Sequence, residues 1–178
     1  MESSAEKSEN TETNLVKRHW VRWLVYGSLV GTFFLLIGIA RQMNAHSEPA
    51  SRLGVSNGQL ASCPDSPNCV STQAHDEAHR MVAIPWEGST EEAMNRLKEV
   101  VQSFPRTHIV TQNEDYLHVE FRTLIFRFVD DVEFWVDSPQ QVIQFRSASR
   151  IGYSDLGANR KRMNAFVMRF KQITPKGG

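Results

Sequence analysis

The chain has 178 residues with 20 Lys and Arg against 20 Asp and Glu, so its formal charge is zero and the overall balance gives no footing for nucleic-acid binding. Setting aside a polar N-terminal tail and an apolar run leaves about 115 residues, enough for one domain with one hydrophobic core and too few for two.

Residues 1–14 are rich in Ser, Glu, Thr and Asn and cannot bury enough apolar surface to offset ordering entropy, which predicts a disordered cytoplasmic tail over 1–19. Residues 23–40, WLVYGSLVGTFFLLIGIA, carry no charge and approach the length that crosses about 30 Å of hydrocarbon as a helix. With Trp20, Val21 and Arg22 in front and Arg41 behind, a transmembrane signal-anchor helix is expected over 20–41, its interfacial aromatics Trp20, Trp23 and Tyr26 grouped at one end. Lys17, Arg18 and Arg22 precede the span, and only Arg41 and then Arg52 follow it closely. The positive-inside bias therefore predicts a cytoplasmic N-terminus and a C-terminal domain exported to a periplasm or lumen. A cleaved signal peptide competes, because Gly38 and Ala40 form a small-x-small pair. The long apolar core and extended leading region favour an uncleaved anchor. Residues 42–61 lack periodicity and read as a linker lifting the domain off the membrane.

The domain is expected over 62–174. It opens with CPDSPNC, in which Cys63 and Cys69 close a small ring if oxidised. Free thiols and a metal site are the other readings of this pair, but its spacing is wider than that of zinc knuckles and no second Cys pair exists. His75 and His79, one turn apart, keep the metal reading open, and a solvated polar loop is the simpler account.

A short apolar run at 81–85 reads as a first strand. Ser89 and Glu92 make a capping box that opens a helix with Ala93, Met94, Leu97, Val100, Val101 and Phe104 on one face, stopped by Pro105. Strands are then expected at 108–112 and 116–122 around the turn 113–115, and at 124–137 with Phe126, Phe128, Val132, Phe134 and Val136 on one face. The turn at Ser138 and Pro139 leads into a strand over 142–150. A last amphipathic helix, 156–173, carries Met163, Phe166, Val167 and Phe170 at helical spacing. The predicted class is α+β, an antiparallel β-meander with two amphipathic helices on its apolar face, and with its other face polar.

Two charged constellations are the candidate sites. In FVDDVEF, 128–134, Asp131 and Glu133 share the polar face, whereas Asp130 falls on the apolar face and needs a partner or a raised pKa. In RSASRIGYSDLGANRKR, 146–162, Arg146, Arg150, Ser154, Asn159, Arg160 and Arg162 surround a strand-to-helix turn suited to an anionic group, although Asp155 is itself a candidate cap there. The plainer reading is a ladder of ion pairs between Asp131, Glu133, Arg146 and Arg150. Acid–base or metal chemistry by Asp130, Asp131 and Glu133 with His118 lacks a tight catalytic spacing. No glycine-rich nucleotide loop, HExxH or GxSxG is present, so no cofactor or metal is expected.

Taken together, CPDSPNCVS at 63–71, FVDDVEF and RSASRIGYSDLGANRKR resemble the family catalogued as domain of unknown function 1499, over about 62–173. The resemblance implies an envelope or plastid-lumen setting, often with a signal or membrane anchor, and it transfers no catalytic residue. The expected function is that of a membrane-anchored envelope protein without catalysis, binding an anionic lipid, a polysaccharide or an envelope protein. The alternative is a hydrolase or metal-dependent enzyme using the acidic cluster.

Overall fold

The computed structural model describes residues 2–49 and 52–173, with side chains from His19 onward. Met1, linker residues 50 and 51, residues 174–178, and the side chains of Lys17 and Arg18 on which the expected orientation rests lie outside the described residues. The chain divides into two compact units, Met1–Gln42 and Met43–Gly178.

The first unit consists of helix α1 (Glu2–Ala45) as far as Gln42, and the last residues of the helix, Met43–Ala45, belong to the second. The stretch His19–Ala45 of α1 spans 27 residues with a mean hydropathy of 2.0, long and apolar enough to cross a membrane. Apolar side chains point outward all round it, including Trp23, Leu29, Phe33 and Leu36, with no polar stripe to set against a soluble core. The helix also takes in residues 2–19, expected as a disordered tail. That stretch contains no Gly or Pro, and once the apolar turns are formed each added residue costs only propagation.

The second unit is the α+β domain. Its elements are β1 (Cys69–Ser71), β2 (Ile84–Pro85), α2 (Thr90–Gln102), β3 (Thr107–Gln112), β4 (Tyr116–Arg122), β5 (Val129–Asp137), β6 (Val142–Ser149) and α3 (Ala158–Gln172). The strands form one antiparallel sheet in the order β1-β6-β5-β4-β3, with β2 also paired to β6. The capping box is formed as expected: the Ser89 backbone N–H donates to Glu92 at 2.8 Å, and the Glu92 backbone N–H donates to the Ser89 hydroxyl at 3.2 Å.

Both α2 and α3 lie on one face of the sheet. Leu97, Val100 and Val101 from α2 and Met163, Phe166 and Phe170 from α3 are buried against Leu117, Val119, Val132, Phe134, Ile143 and Phe145. Phe166 stacks on Phe134 with ring centroids 4.5 Å apart. Side chains of this size each contribute about 1.5–3 kcal/mol when fully buried.

Two expectations are corrected. The strand expected from residue 124 begins at Val129, and Phe126 and Phe128 are each 38% exposed outside the core. Arg127 adopts a positive φ of 56°, which breaks the alternation, and a bond from Thr123 N–H to the Phe128 carbonyl at 3.0 Å closes the segment as a loop. The expected 81–85 strand contracts to two residues, and the same sheet edge gains β1, whose three residues are too short to carry a periodic signal.

Cys63 and Cys69 form a disulfide with Cα atoms 5.6 Å apart. It pins the loop before β1 to the sheet, and Asn68 within the ring donates to the Gly152 carbonyl at 2.6 Å. A seven-residue ring constrains the unfolded chain by about 2 kcal/mol in the chain-entropy model. Replacing both cysteines by Ser is expected to lower the unfolding free energy by about that amount in denaturant titrations under oxidising conditions. Reductant should produce the same loss in the parent chain and none in the variant.

Candidate functional site: a buried ion network on the covered sheet face

Alternation along the strands places one set of side chains opposite the helices. Tyr116, His118 and Glu120 come from β4, Asp131 and Glu133 from β5, and Arg146 from β6, with Arg150 just past its end. Register lines up His118, Glu133 and Arg146 in one row across the three strands, and Glu120, Asp131 and Ala148 in the next.

This face is polar, as the alternation requires, but it is buried. Glu133 is 0%, Arg146 1% and Asp131 2% exposed, so the pairs here act at low dielectric. The covering material is the segment after α1, expected as a linker. The Gly54 N–H donates to Glu133 Oε1 at 2.8 Å, Arg150 Nη1 donates to the Ser47 carbonyl at 2.8 Å, and Leu60 N–H donates to Gln73 at 2.8 Å. Gly54 has φ +106°, a conformation that L side chains rarely adopt, so glycine is the residue that brings this N–H onto the carboxylate.

Within the network every carboxylate has a cation. Arg150 grips Asp131 bidentately, Nε to Oδ2 at 2.9 Å and Nη2 to Oδ1 at 2.7 Å, and its Nη2 also reaches Glu120 at 2.6 Å. Arg122 meets the other Glu120 oxygen at 2.7 Å. Burial tends to raise both carboxyls, but hydrogen bonds and charge outweigh it, from Arg150 and His118 at Asp131 and from Arg122 and Arg150 at Glu120. Both groups therefore stay below the ordinary carboxylate range. Hydrogen bonding to Asp131 raises the Arg150 guanidinium above its ordinary value, against its burial. His118 Nε2 lies 2.8 Å from Asp131 Oδ1, and because an ionised carboxylate only accepts, that nitrogen carries the hydrogen.

Glu133 accepts from Tyr116 Oη at 2.8 Å and from Arg146 Nη1 at 3.2 Å. Burial, with the Glu133 charge beside it, pushes the Tyr116 phenol far up, so Tyr116 is a fixed donor.

Asp130 faces the helices, as its parity predicts, and its partner is Arg162 of α3. The Arg162 guanidinium also donates to Asn159 Oδ1 at 2.6 Å and lies 4.9 Å from the centroid of the Phe121 ring. Asn159 is buried and donates to the Asn68 carbonyl at 2.9 Å and to Ser149 at 3.0 Å, tying α3 to the Cys loop. Arg160 turns away and donates to the carbonyls of Ala78 and Arg80 at 2.6 and 3.1 Å. Ser154 is exposed, its hydroxyl accepting from Leu156 N–H at 3.3 Å. The Asp155 carboxylate accepts from the N–H groups of Gly157 and Asn159 at 2.9 and 2.7 Å, filling the helix start.

The structure thus divides the two sequence constellations differently from their order in the chain. Arg146 and Arg150 belong with Asp131 and Glu133 on the covered face, Arg162 and Asn159 with Asp130 on the helix face, and Arg160 and Ser154 with neither. Three members were not evident from sequence. Glu120 and Tyr116 were legible only as polar-face positions of β4, and Gly54 lies in a segment with no periodic signal.

His79 is buried rather than solvated: its Nδ1 lies 2.7 Å from Asp76 and its Nε2 lies 3.1 Å from the Ser66 carbonyl. His75 lines a shallow cleft of about 250 Å³ with Cys63, Gln73 and Asp76. Among the described residues, no group of three or more His, Cys, Asp and Glu side chains is placed to hold a metal ion.

Residues 59–170, which include β1 through most of α3 and both charged motifs, match the model of a family described as protein of unknown function (DUF1499). The chain belongs to that family. No significant match exists among curated proteins or solved structures. In this DUF1499 domain the matched region holds the carboxylates and guanidinium groups of the network, whereas Ser47 and Gly54, which close it from above, precede the match.

Proposed function

We propose that the chain is a single-pass envelope protein with a cytoplasmic N-terminus, whose domain on the periplasmic or lumenal side binds an anionic envelope component or partner and performs no catalysis. The observation that supports this most is that all three carboxylates of the acidic cluster are paired. Asp130 is held by Arg162, Asp131 by Arg150 and Glu133 by Arg146. A general base or metal ligand drawn from these carboxylates would have to break a buried pair, which costs about 3–5 kcal/mol. The network reads as scaffold, and binding falls to exposed surface. The Cys63–Cys69 bond and the cluster of Lys17, Arg18 and Arg22 before the span favour the oxidising side for the domain.

Reporter fusions after Gly178 test the placement. An alkaline phosphatase fusion is expected to be active and a green fluorescent protein fusion dark when exported by the general secretory route. A bright fluorescent fusion with an inactive phosphatase would put the domain in the cytoplasm and end this reading.

A further inference from the structure

The sheet has one end at which β4 finishes, β5 begins and β6 finishes, and the two connections leaving that end are unusual for a soluble surface. Residues 123–128, TLIFRF, expose Leu124 at 67%, with Phe126 and Phe128 beside it. Residues 150–157 expose Tyr153 at 76% and Leu156 at 88%. The loops start side by side, since the Arg150 N–H donates to the Val129 carbonyl at 3.0 Å. Scattered exposed apolar residues are ordinary, but two adjacent loops tipped with aromatic and aliphatic side chains form a patch.

Each loop is also bonded to a residue at or just past the C-terminal end of α1. Asn44 Nδ2 donates to the Phe126 carbonyl at 3.1 Å, and Arg150 donates to the Ser47 carbonyl at 2.8 Å. Asn44 lies four residues beyond Ala40, where the uncharged run ends. Covalent reach alone keeps it within about 14 Å of that point, and about 6 Å if the chain there is helical. A bilayer's headgroup layer is about 5–8 Å thick on each side. Because α1 stays helical to Ala45, the shorter figure applies, and Asn44 with the Phe126 carbonyl bonded to it lies at headgroup height if the span crosses.

The charge at this end suits the same surface. Arg106 and Arg127 are exposed there, Arg106 being placed by the bond from Arg122 N–H to its carbonyl at 3.1 Å. Three carboxylates nearby are engaged, Glu120 by Arg122 and Arg150, Asp130 by Arg162, and Asp155 by backbone N–H groups, while Glu48, next to Ser47, is exposed. Apolar tips flanked by two exposed guanidinium groups match the boundary between acyl chains and anionic headgroups.

We infer that this end of the domain is a membrane-docking surface: Leu124, Phe126, Phe128, Tyr153 and Leu156 insert shallowly into the bilayer that holds α1, and Arg106 and Arg127 meet anionic lipid phosphates. The inference rests on reading α1 as a membrane anchor and names the lipid surface as the anionic component bound.

The test uses the full chain reconstituted in vesicles of phosphatidylcholine with and without phosphatidylglycerol. An environment-sensitive fluorophore is placed by Leu124→Cys, Leu156→Cys, Val82→Cys or Leu35→Cys, one at a time. Val82, 85% exposed, precedes β2 at the far end of the sheet, and Leu35 lies within the span. Emission at 124 and 156 is expected to shift to the blue and to be lost when acyl chains carry a quencher, with emission at 82 unchanged. Arg106→Gln with Arg127→Gln should weaken the quenching in vesicles containing phosphatidylglycerol. Quenching at 35 with none at 124 and 156 overturns the docking and leaves the anchor standing. No quenching at 35 overturns both. A blue shift at 124 and 156 that lipid quenchers do not touch would mean that protein covers the patch, and would overturn the lipid assignment.

Discussion

Replacing Glu133 by Ala is expected to lower the unfolding free energy of the domain by about 3–5 kcal/mol, the usual cost of leaving one partner of a buried ion pair without the other. The substitution removes the acceptor of three donors at once: Arg146 Nη1, Tyr116 Oη and the Gly54 N–H. Glu133→Gln keeps the shape and one acceptor oxygen for Tyr116 and Gly54 while deleting the charge opposite Arg146, so it should lose less than Glu133→Ala. Arg146→Met leaves the carboxylate its phenol and amide donors and should also fall below Glu133→Ala. Removing both partners will not restore the parent value, because Tyr116 and Gly54 then lack their acceptor, at about 1–3 kcal/mol for each buried unsatisfied group. Amide exchange of the central residues of β5 in detergent-solubilised full-length chain reads this directly, since those amides are bonded within the sheet to β4 and β6. A Glu133→Ala loss below about 1 kcal/mol would remove the network from the account of stability.

Much of this fold is legible in the sequence, and for identifiable reasons. The period-two runs of β4 and β5 carry their own register, because slipping one residue would send Val119 and Phe134 to the polar face and Glu120 and Glu133 to the helices. Capping, helical spacing and Pro105 bound α2 within a residue or two. What composition does not convey is that a polar face is covered. Alternation of Asp131, Glu133 and Trp135 with Val132, Phe134 and Val136 describes two faces, and solvent is the default for the charged one. Its burial depends on a segment more than 70 residues upstream, reaching it through backbone groups of Ser47 and Gly54 whose side chains carry no signal. The same limit explains the candidate site. Proximity in sequence suggested that Arg146, Arg150, Arg160 and Arg162 share a locus, whereas strand parity and the turn at Gly157 send them to three places.

Arg150 should control how the domain responds to acid. In the fold, Asp131 and Glu120 lie below their ordinary range, and on unfolding they return to about 3.9 and 4.3. The unfolded chain therefore binds more protons in the acidic range, and stability rises with pH there. The contribution of these groups is complete above about pH 5 and is lost as pH falls through their lowered folded values. Arg150→Met removes the bidentate partner of Asp131 and one of the two cations on Glu120, leaving His118 and Arg122. Burial, already the largest influence on Asp131, then opposes ionisation with less to offset it, so its folded pKa rises. The variant is expected to be about 3–5 kcal/mol less stable near neutral pH, where an underpaired buried carboxylate is most costly. The gap should narrow on acidification, because protonating Asp131 relieves the variant while it weakens the parent. Urea titrations of both chains from about pH 3 to pH 8 would show converging stability curves, and curves that run parallel across that range would mean that Arg150 does not hold these carboxylates ionised.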